Sequence, residues 1–164
     1  MIEPTDIVAA FVTALQTLNV TPPLGDATCY EIAEPTYIEG QQQLVLQVCP
    51  GAVNPDGAGK GSQEGGALER TLVVTVAVWL RLKIDAHRRN AQAMRRASTN
   101  LMDTCAAIRQ LLALTWLKGA VTEPVWYVGE SSTTVYDDDG GVFKREIYFH
   151  ATRGDVLPVQ LTYS

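Results

Sequence analysis

The side chains that most often carry out chemistry are few in this 164-residue chain, and their contexts favour no reaction. His87 and His150 are the only histidines, and the pattern places them in different elements, one near a helix start among arginines and one on a strand. No serine or cysteine lies in the context of an activated nucleophile such as Gly-x-Ser-x-Gly. We therefore expect a protein that is not an enzyme and has no catalytic residues. A small hydrolase with a nucleophile near either histidine is the alternative.

A phosphate-binding loop is the first ligand-binding motif to consider, because Gly59 and Lys60 stand in a glycine-rich segment. The Walker motif places another glycine five residues before this pair and a serine or threonine directly after it. The sequence has Asn54 and Gly61 at these positions, and an apolar strand follows where the motif begins its helix. We expect no nucleotide and no other cofactor.

A calcium loop is the second motif to consider, because three aspartates at 137–139 precede Gly140. Asp137, Asp139, Gly140 and Glu146 match the third, fifth, sixth and twelfth places of an EF-hand loop, but the first ligand position is Val135, which cannot coordinate a cation. The flanking segments also have the pattern of strands, whereas the EF-hand needs helices. Aspartate and glycine are typical of a solvated turn, so we expect a hairpin here and no metal site.

The three cysteines, Cys29, Cys49 and Cys105, are an odd number at spacings that match no metal-ligand pattern. Free cysteine usually behaves as a small buried hydrophobic residue. We therefore expect three buried thiols in a reducing compartment. We also expect neither an export signal nor a membrane-spanning segment, because no basic start precedes an apolar run and no apolar run approaches ~20 residues.

The elements that would position these residues are organised around one strand and one helix. Residues 72–84 form an apolar, β-branched run that predicts a strand covered on both faces for most of its length. The following segment, about 86–114, predicts a long helix with Asp85 as its N-cap and Gly119 just beyond its end. One side of this helix is apolar, through Met94, Leu101, Cys105, Ile108 and Leu112. The other side is basic, through Arg88, Arg89, Arg95 and Arg96.

The rest of the chain predicts shorter elements around this pair. A helix is expected over residues 4–18, with an apolar stripe of Ile7, Phe11, Leu15 and Leu18. Strands are expected over 28–33 and 42–49, and a long glycine-rich hairpin loop over 50–67. An edge strand or packed connection is expected over 121–128, and a hairpin over 131–136 and 142–151, in which Arg145 interrupts the apolar alternation. A last edge strand could follow near the C-terminus. We predict one α+β domain over residues 1–164, with a mixed or antiparallel sheet flanked by a short N-terminal helix and one long central helix.

Charge alternates in three blocks along the chain, whose net charge is −5. Residues 1–69 hold nine acids and one base, residues 70–118 two acids and nine bases, and residues 119–164 seven acids and three bases, giving −8, +7 and −4. The blocks could neutralise one another within one folded chain. They could instead join copies, because complementary patches register subunits. The acidic remainder and the lack of aromatics interleaved with the arginines make nucleic acid a less favoured partner.

Three stretches together resemble the tail terminator and tail-completion proteins of tailed bacteriophages. They are EPTDIVAAFVTALQTL, LERTLVVTVAVWLRLKIDAHRRNAQAMRRASTNLMDTCAAIRQLL and VYDDDGGVFKREIYFHA, which cover almost half of the chain in the same order of elements. The resemblance implies a hexameric ring in the neck of the virion, made in the bacterial cytoplasm. Such a ring caps the tail tube, stops its polymerisation and presents the surface on which the head docks.

The resemblance also implies partners: further copies of the chain, the tail tube protein and a head-completion or connector protein. DNA passes through the lumen of such a ring without specific recognition. On this basis we predict a subunit or ring-to-ring interface that includes Arg88, Arg89, Arg95, Arg96, Asp137, Asp138 and Asp139. We predict that the long loop contacts another virion protein through Asn54, Asp56, Lys60, Gln63 and Glu64. Another neck or connector protein of similar architecture and a nucleic-acid-binding module are the alternatives.

Overall fold

The computed structural model describes residues 4–24, 28–37, 43–55, 67–82, 91–136 and 141–156. Along the chain they form helix α1 (Pro4–Leu15), strands β1 (Cys29–Glu31), β2 (Leu44–Pro55) and β3 (Ala67–Arg81), helix α2 (Ala91–Leu112), a 3-10 turn (Leu117–Gly119), and strands β4 (Trp126–Glu130), β5 (Thr134–Tyr136) and β6 (Val142–Val156). These elements confirm the predicted α+β class with a short N-terminal helix and one long central helix.

The six strands form one mixed sheet in the order β1-β2-β3-β6-β4. β1 runs parallel to β2, and every other pair is antiparallel. β5 also pairs with β6, next to β4 on the same side, because β5 faces residues 142–144 of β6 and β4 faces residues 147–150. The two ends of the sheet are therefore β1 on one side and β4 with β5 on the other.

Both helices bury the stripe that their periodicity predicts, and both cover the same face of the sheet. The buried members of these stripes are Ile7, Phe11 and Leu15 on α1, and Leu101, Cys105, Ile108 and Leu112 on α2. The other predicted members, Leu18 and Met94, are partly buried against the same core. The two stripes pack against the inward side chains of the central strands, chiefly Val74, Val76, Val78, Ile147 and Phe149. Each helix is shorter than expected, since α1 ends at Leu15 and α2 at Leu112. The expected N-cap, Asp85, lies outside the described residues.

The described residues cover the second face of the sheet at one end only. Ala77 and Trp79 of β3 are buried there beside Val45 and Val142, while Val73 and Thr75 at the other end of the strand are half-buried. The expectation of a strand covered on both faces for most of its length is therefore met only near Trp79. The apolar run could not show this, because Val73 and Thr75 suit a half-buried strand surface as well.

Gln47, which is fully buried on β2, binds the segment that contains Thr36 to this face of the sheet. Its side-chain carbonyl accepts hydrogen bonds from the Trp79 indole Nε1 (2.9 Å) and from the backbone N of Thr36 (3.0 Å). Its amide nitrogen donates to the backbone O of Thr36 (2.6 Å) and to the hydroxyl of Tyr30 (2.9 Å) on β1. The amide therefore pairs with Thr36 as a peptide group of a neighbouring strand would, and it fixes β1 as well.

The two strands that flank the predicted long loop extend further into it than the sequence indicates. β2 continues through the glycine and prolines to Pro55, with a shift of register between Pro50 and Val53, and β3 begins at Ala67. Backbone pairing explains the difference, because β3 offers hydrogen-bond partners to β2 on one side while β6 holds it on the other along its whole length. The predicted loop thus narrows to residues 56–66, which lie outside the described residues.

Candidate functional site

The β4 strand forms an end of the sheet that is open in the described part of the chain. β4 pairs with β6 on its inner side, and no described strand pairs with its outer side. Just before β4, the segment that follows α2 lies against Val125. The backbone N of Leu114 donates to the Val125 O (2.7 Å), and the Val125 N donates to the Thr115 O (2.8 Å). Residues 114–116 and β4 therefore lie next to each other.

Five large side chains stand exposed along this margin. We call them the edge patch: Leu114 (64% exposed), Trp116 (53%), Trp126 (64%), Val128 (50%) and Tyr127, which is partly exposed. Single exposed hydrophobic residues are ordinary on protein surfaces. Several together, with tryptophan and tyrosine among them, are typical of protein–protein contact surfaces.

A β-bulge adds to the exposure of the edge patch. The register of β4 against β6 shifts between Tyr127 and Gly129, so Val128 has no partner on β6. Bulges commonly re-aim a side chain at a sheet edge. Here the extra residue is Val128, and its side chain is half exposed.

The segment that carries Leu114 and Trp116 is held in a strained backbone conformation. Leu114 (φ 64°), Leu117 (φ 46°) and Lys118 (φ 52°) all lie in the left-handed region, which costs roughly 1–2 kcal/mol for a residue with a Cβ. The expected helix-ending glycine, Gly119, does have a positive φ of 92°, but it ends the 3-10 turn instead of α2. Leu114 stands where glycine is usual after a helix. Strain of this kind tends to concentrate at functional sites.

A charged cluster fixes β4 from behind. The carboxylate of Glu130, whose side chain is only 7% exposed, accepts from Arg109 Nη1 of α2 and from Arg145 Nε of β6 (3.0 Å). Arg145 also donates to the Thr133 hydroxyl (3.2 Å). The hydrogen bond from Arg109 to Glu130 raises the pKa of the Arg109 guanidinium above its ordinary value. This cluster explains why Arg145 interrupts the apolar alternation of β6, because its partner is a buried carboxylate.

A cleft of about 400 Å³ lies on the partly covered face, lined by Glu34, Pro35, Thr36, Tyr37, Trp79, Tyr136, Val142 and Lys144. The ammonium group of Lys144 is 5.2 Å from the centre of the Trp79 ring and 2.7 Å from a carboxylate oxygen of Glu146. Tyr148 donates to the other oxygen of Glu146 (3.0 Å). The ammonium group of Lys144, which lines the cleft, thus already has partners within the chain.

Of the seven predicted interface residues, the structure describes two, Arg95 and Arg96. Arg95 and Arg96 lie exposed near the start of α2, and Arg95 Nε bonds to the backbone O of Ala91 (3.3 Å). The backbone of Asn54 pairs with Thr71 within the β2–β3 ladder. The other predicted interface and loop residues lie outside the described residues: Arg88, Arg89, Asp137, Asp138, Asp139, Asp56, Lys60, Gln63 and Glu64.

Of the histidines and cysteines considered for chemistry, those that the structure describes are buried or half-buried. His150 is half-buried in β6, paired with Val73 and Trp126, and His87 lies outside the described residues. All three cysteines are free and buried as predicted, and burial raises the pKa of Cys29 and Cys105 to about 12 and that of Cys49 to about 11. Within the described ranges, no three His, Cys, Asp or Glu side chains group closely enough to hold a metal ion.

Sequence reasoning identified parts of the edge patch without recognising it. It predicted an edge strand or packed connection over residues 121–128, which include Trp126 and Tyr127, but it gave no role to Leu114 or Trp116. The signal was the pair of tryptophans in two neighbouring segments that are otherwise poor in strand and helix pattern. No helix in the described part of the chain is long and apolar enough to cross a membrane. The sequence matches no protein-family model, and none of the curated proteins compared with it matches significantly.

Proposed function

We propose that this protein is a structural subunit of a bacteriophage tail, a terminator that assembles into a hexameric ring on the end of the tail tube. The ring stops polymerisation of the tube and provides the surface to which the head joins. The protein is not an enzyme under this proposal and needs no cofactor. The assignment to the phage neck depends on the resemblance of the three sequence stretches, and the α+β fold is of the class that this resemblance implies.

The observation that carries the proposal is the edge patch on an open strand. An open strand presents unpaired backbone N–H and C=O groups, which natural proteins usually protect with charged or proline residues. β4 instead begins with four uncharged residues, Trp126, Tyr127, Val128 and Gly129, and the first three have large exposed side chains. Tryptophan and tyrosine are over-represented among the residues that dominate binding energy at protein interfaces. A subunit whose work is to contact other proteins accounts for this surface.

The rigid support behind the patch fits the same function. Glu130 links β4 to α2 through Arg109 and to β6 through Arg145. The edge patch is therefore displayed from a braced strand and not from a loose loop. Pre-organised surfaces lose less conformational entropy when they bind, so a braced edge suits a contact that must form in one register.

The experiment that tests the proposal combines the full chain with polymerising tail tube protein of the same phage. We expect tubes of limited length whose ends carry a ring of six copies in electron micrographs. Tubes that grow to the same length and bind no chain would contradict the proposal. Binding to the head connector, with no binding to the tube, would favour the alternative of another neck protein.

A nucleic-acid-binding module is the second candidate, and it depends on the exposed Arg95 and Arg96 of α2. Contacts to phosphates make affinity fall steeply with salt concentration. We expect weak binding of duplex DNA that disappears at physiological salt. A complex that survives at that salt, and that the double change Arg95→Glu with Arg96→Glu abolishes, would favour this candidate over the ring.

A further inference from the structure

The sheet has a second open end, and the two ends are suited to each other. β1 pairs with β2 on its inner side, and no described strand pairs with its outer side. β4 is open in the same sense at the opposite end. The described part of one molecule therefore carries two different open edges, and a contact between different surfaces of identical copies generates either a closed ring or a filament.

Strand direction decides which kind of pairing two such edges can make. β1 is parallel to β2, whereas β3, β6 and β4 alternate in direction from β2 onward. It follows that β4 runs opposite to β1. When a second copy is placed beside β4 in the same orientation, its β1 is antiparallel to β4, and antiparallel pairing is the stabler of the two arrangements. The helices of both copies then lie on the same side of a continuous sheet.

The side chains at the two edges also complement each other. On β1, Tyr30 is the register partner of Gln47, so it lies on the face opposite the helices. Trp126 of β4 is the register partner of His150, which in turn faces Val73, and this places Trp126 on that same face. Leu114 and Thr115 already occupy the edge at Val125, so β1 of the next copy would pair with β4 from Tyr127 onward, with Glu31 opposite Tyr127 and beside Val128. The two aromatic side chains would then be diagonal cross-strand neighbours, an arrangement that contributes to the stability of sheets.

Charge favours the same arrangement. Glu31 and Glu34 are exposed at and just after β1, and the sequence contains no lysine or arginine before Lys60. The region around β4 holds four bases, Arg109, Lys118, Arg145 and Arg153, and two acids, Glu123 and Glu130, leaving a net charge of +2. Opposite charges on two surfaces steer them together and fix their register.

We infer that copies of this chain join head to tail, with the β4 edge of one copy adding to the β1 edge of the next. The inference rests on the proposed function, because it names the contact that closes the ring. β1 is prepared for this contact, since Gln47 holds the Tyr30 hydroxyl. The edge patch covers the flank of the β1 segment of the next copy.

A cross-linking experiment on the full chain tests the inference. Glu31→Cys on β1 and Val128→Cys on β4 place thiols on the two sides of the junction, while the three native cysteines are buried. The double variant, oxidised after assembly on tail tubes, should give a ladder of covalent oligomers that ends at the number of subunits in the ring. Each single variant should stay a monomer, because a head-to-tail contact brings together two different residues.

Two results would overturn the inference while leaving the ring proposal standing. The first is a covalent dimer from Val128→Cys alone, which would mean that β4 meets β4. The second is a ring on the tube that gives no cross-link in the double variant. Failure of the wild-type chain to form any ring on the tube would instead contradict the proposed function itself.

A charge exchange gives an independent check of the same contact. Glu31→Arg should weaken association by roughly tenfold, as is typical of one charge at an interface rim, and Lys118→Glu should have a similar effect. Combining the two changes should restore most of the association. Glu123→Lys is the control, because this exposed acid lies on the basic side, where an added positive charge does not oppose the acidic β1 edge. Weakening by the control, or no restoration in the combination, would count against the pairing of these edges.

Discussion

The two open ends of the sheet differ in almost every property. The β1 end is short, with three residues, and carries an exposed glutamate beside a tyrosine that a buried amide fixes. The β4 end is longer and carries exposed aromatic and aliphatic side chains beside a strained segment. Short length and charge limit non-specific pairing of an edge strand, and β1 has both. We infer that β4 provides most of the apolar surface of the contact, whereas β1 provides the negative charge.

The largest effect should come from removing the brace of the β4 edge. Glu130→Ala leaves Arg109 and the mostly buried Arg145 without their carboxylate, and we expect a loss of about 3 kcal/mol of unfolding free energy, as for other broken buried pairs. Urea unfolding at neutral pH measures it. The control is Glu123→Ala, at an exposed acid, which should change stability by less than about 0.5 kcal/mol. Equal losses of stability from the two changes would mean that Glu130 does not brace the β4 edge.

The next effect should come from the β1 end. Gln47→Leu keeps a side chain of similar size but leaves the buried Trp79 indole N–H and the backbone of Thr36 without partners. We expect a loss of about 2 kcal/mol, because unsatisfied buried polar groups cost 1–3 kcal/mol each and some of these can reach water. Gln110→Leu, at an exposed position of α2, is the matched control. A stability unchanged by Gln47→Leu would mean that the amide does not hold β1.

Backbone strain beside the β4 edge should give smaller effects of opposite sign. Leu114→Gly relieves a left-handed residue and should stabilise the protein by about 0.5–1 kcal/mol. Gly119→Ala should destabilise it by about 1 kcal/mol, since an added Cβ meets no atom within 4 Å and only the positive φ opposes it. Thermal unfolding compares the two. Destabilisation by Leu114→Gly would indicate that the exposed leucine packs against something within the monomer.

The smallest effects concern the cysteines, which report on the two ends separately. Burial raises the pKa of Cys29 on β1 to about 12 from an ordinary 9.0, so the native thiol stays protonated and unreactive at pH 8. Because the pKa is higher in the folded state, this contribution to stability is complete below pH 9 and is lost as the pH rises toward 12. Gln47→Leu should accelerate labelling of Cys29 by a thiol reagent, whereas Cys105 in α2 should react at the wild-type rate. Equal acceleration at both would show global unfolding instead of opening at β1.

Much of the fold followed from periodicity alone. The stripes Ile7-Phe11-Leu15 and Leu101-Cys105-Ile108-Leu112 are buried as predicted, and the apolar run that contains Val74 and Val76 is the central strand. These features are local, because a face that repeats at the helical or strand period must be covered. The buried state of the three cysteines was predictable for a similar reason, since it follows from residue type.

The candidate site was less predictable, because it depends on contacts distant in sequence. Gly119 looked like the end of the central helix, but pairing of Leu114 and Thr115 with Val125 ends the helix earlier. Nothing in the sequence accounted for a charged residue at Arg145, because its partner Glu130, which also binds Arg109, lies in another strand. An open edge is a property of the whole sheet, so no single stretch could reveal it. Charge runs drew attention to the arginines of α2 instead.

The most direct test of the account compares the assembly of three chains on tail tubes by electron microscopy and native mass spectrometry at low and high salt. They are the wild type, Val128→Lys and Met102→Lys, where Met102 has similar exposure (43%) but lies on α2, away from the sheet edge. A lysine on an edge strand prevents edge-to-edge pairing. If the β4 edge joins the copies, we expect rings for the wild type and for Met102→Lys, and folded monomers for Val128→Lys. Rings of unchanged stability in Val128→Lys would contradict it.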